Sequence, residues 1–138
     1  MKYNNKQLTI ENINFRSLAK KFGTPAYCYS YSRLKENINN FKKNFKSFSP
    51  LICFSVKSNT NLNIIKEIKK FGLGADVVSK GELMLALKAG VSPSKIVFSG
   101  VGKTNEEINF AIEKKILLIN AESKSEIKEI NKIARKKK

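Results

Sequence analysis

The chain has 138 residues, with 27 Lys+Arg against 11 Asp+Glu, a net charge of +16, two cysteines and no His or Trp. That length is one ordinary domain, able to bury roughly two thirds of its unfolded surface, and 41% hydrophobic with 28% charged residues fits a globular chain rather than a disordered one. Without His there is no Ser-His-Asp triad, no Cys-His dyad and no His-ligated zinc, and no metal site is expected.

The N-terminus, Met1-Lys2-Tyr3-Asn4-Asn5-Lys6-Gln7, lacks the apolar core of a signal peptide. Residues 15–22 then read as a short helix broken by Gly23-Thr24-Pro25. Tyr27, Tyr29 and Tyr31 alternate as in a strand, and Leu34, Ile38, Phe41 and Phe45 give an amphipathic helix. From residue 51 the chain acquires a rhythm. Leu51-Ile52-Cys53-Phe54-Ser55-Val56 reads as a buried strand, residues 61–71 as a helix, 73–78 as a strand and 82–89 as a helix closed by Gly90. A third strand (95–98), a third helix (105–115), a fourth strand (116–119) and a fourth helix (126–135) follow. The strands begin about 21 residues apart, with no hairpin signal between them, which is the pattern of parallel βα units. Ser79-x-x-Glu82, Thr104-x-x-Glu107 and Ser123-x-x-Glu126 have the capping-box form at the expected helix starts. No apolar run approaches the ~20 residues of a membrane span, and Cys28 and Cys53 form no knuckle or disulfide framework, so a reducing cytoplasm is expected.

The charge invites a nucleic-acid reading, but the lysines are spread along the whole chain and only Arg16, Arg33 and Arg135 are arginine. Specific base readout favours Arg forks. A solvated basic surface is therefore the preferred reading, and a nucleic-acid partner the lesser one.

In parallel α/β folds reactive groups gather beyond the carboxyl ends of the strands. Those positions hold Lys57-Ser58-Asn59 after the first strand, Asp76 and Ser79 in and after the second, Ser99-Gly100-Val101-Gly102 after the third and Asn120-Ala121-Glu122 after the fourth. A lysine ending a buried strand can act as an amine nucleophile or simply extend to water. Asp76, the only Asp in the chain, is either a polar group facing a ligand or a local turn former, and the capping box alone accounts for Glu82. Two glycine patterns fail. Gly102-Lys103-Thr104 would need a glycine where Val97 stands to be a P-loop, and Gly72-Leu73-Gly74 precedes a strand and has Val77 at the third glycine position.

Phe54-Ser55-Val56-Lys57-Ser58-Asn59-Thr60-Asn61 resembles the cofactor-lysine motif of pyridoxal-phosphate decarboxylases with an alanine-racemase-like barrel, and Gly74-Ala75-Asp76-Val77-Val78-Ser79-Lys80-Gly81-Glu82-Leu83 their second-strand motif. Ser99-Gly100-Val101-Gly102-Lys103-Thr104, Ile119-Asn120-Ala121-Glu122-Ser123 and the entry segment Phe22-Gly23-Thr24-Pro25-Ala26-Tyr27-Cys28-Tyr29 resemble the diaminopimelate decarboxylase family in particular. The resemblance implies an α/β fold, a TIM (β/α)8 barrel with about its first four βα units in this chain. Residues 1–50 would then be an N-terminal segment and 51–138 the first half of the barrel, with the C-terminal β domain absent. It implies pyridoxal 5'-phosphate as cofactor, held covalently by Lys57, with Asp76 and Glu82 on the cofactor side, and decarboxylation of meso-diaminopimelate to L-lysine. Asn120 and Glu122 match less well.

The family also uses a His from a later strand, a glycine-rich loop, a Glu-Pro-Gly-Arg motif and a C-terminal Cys-Glu pair, none of which occurs here. A whole barrel takes ~250 residues. On this resemblance the chain is expected to be an N-terminal part, inactive alone, its substrate-binding residues elsewhere. The full-length family is expected to be a homodimer that takes a small amino-acid substrate and no membrane. The alternatives are a basic fragment without catalytic role, or another pyridoxal-phosphate decarboxylase or racemase of the same fold.

Overall fold

The computed structural model describes residues 1–137, which form two compact units, Met1–Ser49 and the part from Pro50 onward.

The first unit opens with three short antiparallel strands, β1 (Lys2–Asn4), β2 (Gln7–Ile10) and β3 (Ile13–Asn14), paired Tyr3 to Leu8 and Ile10 to Ile13. Two-residue turns join them, with positive φ at Asn5 and Lys6 and again at Glu11 and Asn12. Such turns match the right-handed twist of a hairpin and normally use Asn or Gly. Helix α1 (Phe15–Phe22) follows, capped by the Asn14 side chain, which accepts from the Arg16 N–H, and closed by Gly23 at φ 80°. The strand expected at the alternating tyrosines does not form. Residues 24–30 join no strand among the described residues, Tyr27 is 92% exposed, and Tyr31 already belongs to α2 (Tyr31–Asn44). Helix entry wins over pairing there because Ser30 caps α2 while Glu11 accepts from the Ser30 hydroxyl at 2.7 Å and the Ser32 N–H at 2.5 Å. These bonds hold the Glu11 carboxyl below its usual range.

The second unit is a parallel four-stranded sheet in sequence order, β4 (Cys53–Ser55), β5 (Gly74–Val77), β6 (Ile96–Phe98) and β7 (Leu118–Ile119). Each strand is followed by a helix, α3 (Leu62–Lys70), α4 (Lys80–Lys88), α5 (Asn105–Glu113) and α6 (Lys124–Arg135). Successive helices pack on one another, as they do when every crossover has one hand and the helices cover one face of the sheet. Ala75, Val77, Ile96 and Phe98 lie in the core with Ile65, Leu83, Ala86 and Ala111. The alternating row Ser55, Asp76, Val97 and Leu118, in register across the four strands, is less buried. Gly74 is required because a Cβ there would overlap the carbonyl oxygen of Lys95. The expected strands and helices from residue 51 onward are all present; the strands, α3 and α5 are shorter than expected, whereas α4 and α6 each begin two residues earlier, directly after their serine caps.

One of the three capping boxes forms as expected: the Thr104 hydroxyl and the Glu107 carboxylate exchange bonds with each other's backbone. In the other two the serine caps, but the carboxylate moves one residue back, Glu82 to the Val78 N–H at 3.0 Å and Glu126 to the Glu122 N–H at 2.6 Å. The cap residues differ accordingly, with φ near −155° at Ser79 and Ser123 and −73° at Thr104.

Candidate functional site

The carboxyl ends of the four strands form one rim. β4 turns there into a short 3-10 turn, Val56–Ser58, which buries Val56 completely and leaves Lys57 exposed. The residues after Lys57 shape the loop. Ser58 donates its hydroxyl to the Ser55 carbonyl at 2.7 Å, the Asn59 side chain accepts from the Asn61 N–H, and Asn61 caps α3. Lys57 therefore stands on a well-fixed turn, and no ion pair among the described residues uses its ammonium.

Asp76, on the less buried row of the sheet, accepts the Ser99 hydroxyl at 2.6 Å, and Ser99 accepts the Asn120 side-chain N–H at 3.0 Å. Both partners sit where the ladder continues past the strands, the Ser99 N–H donating to Val77 and the Asn120 N–H to Phe98. A chain of three polar side chains thus crosses the ends of β5, β6 and β7. It does not include Lys57, so an ion pair between Lys57 and Asp76 is not what the Asp76 carboxylate makes here. Burial, and then the neighbouring Asp76 charge, push the Cys53 thiol upward, which favours its neutral form. Glu82 is engaged at the entry of α4 through Val78.

Sequence reasoning placed Lys57, Asp76, Ser99 and Asn120 at one rim but did not join the last three. It named Lys103 only as a member of two motifs and gave it no role of its own. That side chain is 2% exposed and pairs with Glu126, at 3.3 Å, itself 9% exposed. The Glu126 carboxyl is held below its usual range by the Glu122 N–H, with Lys103 adding to this against the opposing effect of burial. In a chain with 27 Lys+Arg nothing in the local pattern marks one lysine as buried.

Residues 31–138 match the model of the pyridoxal-dependent decarboxylases, pyridoxal binding domain. The chain belongs to this family. Diaminopimelate decarboxylase of Aquifex aeolicus is 43% identical over 136 residues, 99% of this chain and 32% of that protein, and the Haemophilus influenzae enzyme is 45% identical over 132 residues. The crystal structure of diaminopimelate decarboxylase from M. jannaschii superposes with a TM-score of 0.94 at 38% identity, covering 98% of this chain and 32% of that one. Ornithine decarboxylase from Entamoeba histolytica is more distant, with a TM-score of 0.61 at 27% identity over 72% of this chain. The chain spans about a third of the length of the relatives it matches. Its four βα units are thus part of the pyridoxal-type (β/α)8 barrel, and the cofactor class of the family is pyridoxal. No helix among the described residues is long and apolar enough to cross a membrane.

Proposed function

We propose that this chain is the cofactor-lysine part of a diaminopimelate decarboxylase, acting on meso-diaminopimelate to give L-lysine and carbon dioxide. The observation that carries this reading is Lys57: a primary amine, in no ion pair among the described residues, on a fixed turn at the carboxyl end of the first barrel strand, within a pyridoxal-binding family. A related enzyme from Helicobacter pylori has been crystallised with L-lysine, which supports an amino-acid ligand of this type.

The residues present suit a pyridoxal group. Lys57 offers the amine that carries its aldehyde carbon, and Asp76, fixed through Ser99, offers a carboxylate on the less buried row of the sheet. Glu82 keeps the β5 exit closed onto α4 through Val78 and acts on that side as a scaffold. Bound pyridoxal phosphate supplies the electron sink for the bond to the departing carboxylate. Lys57 would hold the group in place through its amine, and that amine, standing on the rim, could take or return a proton there. The rest of the substrate site, a homodimeric assembly and a cytoplasmic location belong to this reading of the whole enzyme, with residues 1–50 and 51–138 as its N-terminal segment and first half-barrel.

A chimera tests it. The chain replaces the matching first third of the Aquifex aeolicus enzyme and is expressed in a lysine auxotroph lacking its own decarboxylase. Growth without lysine is expected from the chimera and not from its Lys57→Ala form. A soluble chimera that never restores growth, or one that restores it equally with Lys57→Ala, overturns the assignment.

A further inference from the structure

Lys103 is unlike the solvated lysines of the helices. Its ammonium donates to the carbonyl oxygens of Gly100 and Asn120, both at 2.6 Å, and lies 3.3 and 3.4 Å from the two oxygens of Glu126. An ammonium has three donors and no acceptor, and here each finds an oxygen, the condition under which a charge tolerates burial. The partners come from three places: the loop leaving β6, the end of β7 and the first turn of α6. Gly100 allows this packing at φ 94°, where an added Cβ would press on Val78 at 3.2 Å.

The bond to Asn120 joins this cluster to the rim. The Asn120 backbone carbonyl accepts from Lys103, its side-chain N–H donates to Ser99, and the Ser99 hydroxyl donates to Asp76. The Ser99 hydroxyl accepts on one side and donates on the other, so its direction depends on where Asn120 is held.

We propose that Lys103 is a positioning residue for Asp76: by clamping Gly100 and Asn120 it fixes the exits of β6 and β7, so that Asn120 and Ser99 hold the Asp76 carboxylate in one orientation on the rim. Its consequence for the cofactor rests on the pyridoxal reading above, whereas the orientation of Asp76 does not.

Asp76 is the only aspartate in the chain, so aspartate labelled with 13C at the side-chain carboxyl gives a single resonance from the whole protein. Ser99→Ala sets the position of that resonance when the hydroxyl is gone. Lys103→Met and Asn120→Ala are each expected to displace it in the same direction. Ile65→Val, a core change on α3 away from the cluster, is expected to leave it unmoved. If Lys103→Met does not fold, Glu126→Gln loosens the clamp more gently and is expected to give a smaller displacement of the same sign. A folded Lys103 or Glu126 variant with an unmoved resonance overturns the proposal, as does a displacement by Ile65→Val equal to theirs.

Pyridoxal phosphate binding to the same proteins forms a second arm. Wild type is expected to bind, and the Lys103 and Ser99 variants to bind several-fold more weakly. Failure of the wild-type chain to bind, with the resonance responding as described, rejects the pyridoxal reading and supports the positioning role.

Discussion

The two units are held by different means. From residue 50 onward, Val56, Ile65, Val77, Leu83, Ile96, Phe98 and Ile108 are at most 1% exposed, a core made by repeating one strand–helix unit. In residues 1–49 only Thr9, Ile10 and Ile38 are buried, while Phe22 is 69% and Phe48 77% exposed. That region relies on local devices: two tight turns, the caps Asn14 and Ser30, and Glu11 bonded to the start of α2. Burial is cooperative and capping is not, so the same kind of substitution should weigh differently in the two units.

The largest contrast is expected for aromatic truncation. Phe98→Ala removes a fully buried ring and should cost about 3–5 kcal/mol, whereas Phe22→Ala should stay within about 0.5 kcal/mol. Hydrogen exchange resolved by unit measures both, and equal losses would break the comparison. Ion pairs come next. Lys103→Met strands the Glu126 carboxylate and two carbonyls, at about 3 kcal/mol, while Arg33→Ala opens an exposed pair with Glu36 worth about 0.5 kcal/mol or less.

Acid acts in the same direction on both units, since Glu11 in the first is also held below its usual range; the second unit offers the cleaner test. Glu126 and Glu107 both titrate below their usual range, Glu126 chiefly through the Glu122 N–H and Glu107 chiefly through the Thr104 N–H. A carboxyl lowered on folding stabilises above its unfolded value and loses that effect as pH falls through its folded one. Stability of the second unit should therefore be level at neutral pH and decline through and below the usual carboxylate range, and Glu126→Gln should flatten the decline. A slope unchanged in that variant would remove Glu126 from the account. The smallest effect is one the units should share: Thr104→Ala and Asn14→Ala each lose a cap worth about 1 kcal/mol, because capping is local.

Most of the second unit was legible because parallel strands buried on the helix side read as short apolar runs at a fixed interval, and because the helix caps are chemical marks. What sequence could not give was register at the caps. Ser79 and Thr104 have the same motif, yet their φ values differ and send Glu82 and Glu107 to different amides. The hairpins of the first unit escaped because Asn5-Lys6 and Glu11-Asn12 hold left-handed backbone without a glycine to announce it. Tyrosine alternation misled for the opposite reason, since an extended run needs a partner strand and residues 26–30 have none. At the rim, Lys57 could be placed by its position after a strand and Asp76 by its position within one. The Asp76–Ser99–Asn120 chain depends on side-chain reach between neighbouring strands, and the burial of Lys103 on a carboxylate 23 residues away.

The central claim is that Lys57 is the residue that carries the cofactor. Incubation with pyridoxal phosphate, reduction with borohydride and peptide mass spectrometry test it directly. The account predicts the reduced pyridoxal mass on the peptide containing Lys57, at stoichiometric yield and absent from Lys57→Ala. Labelling scattered over the exposed lysines, and unchanged in Lys57→Ala, would contradict it.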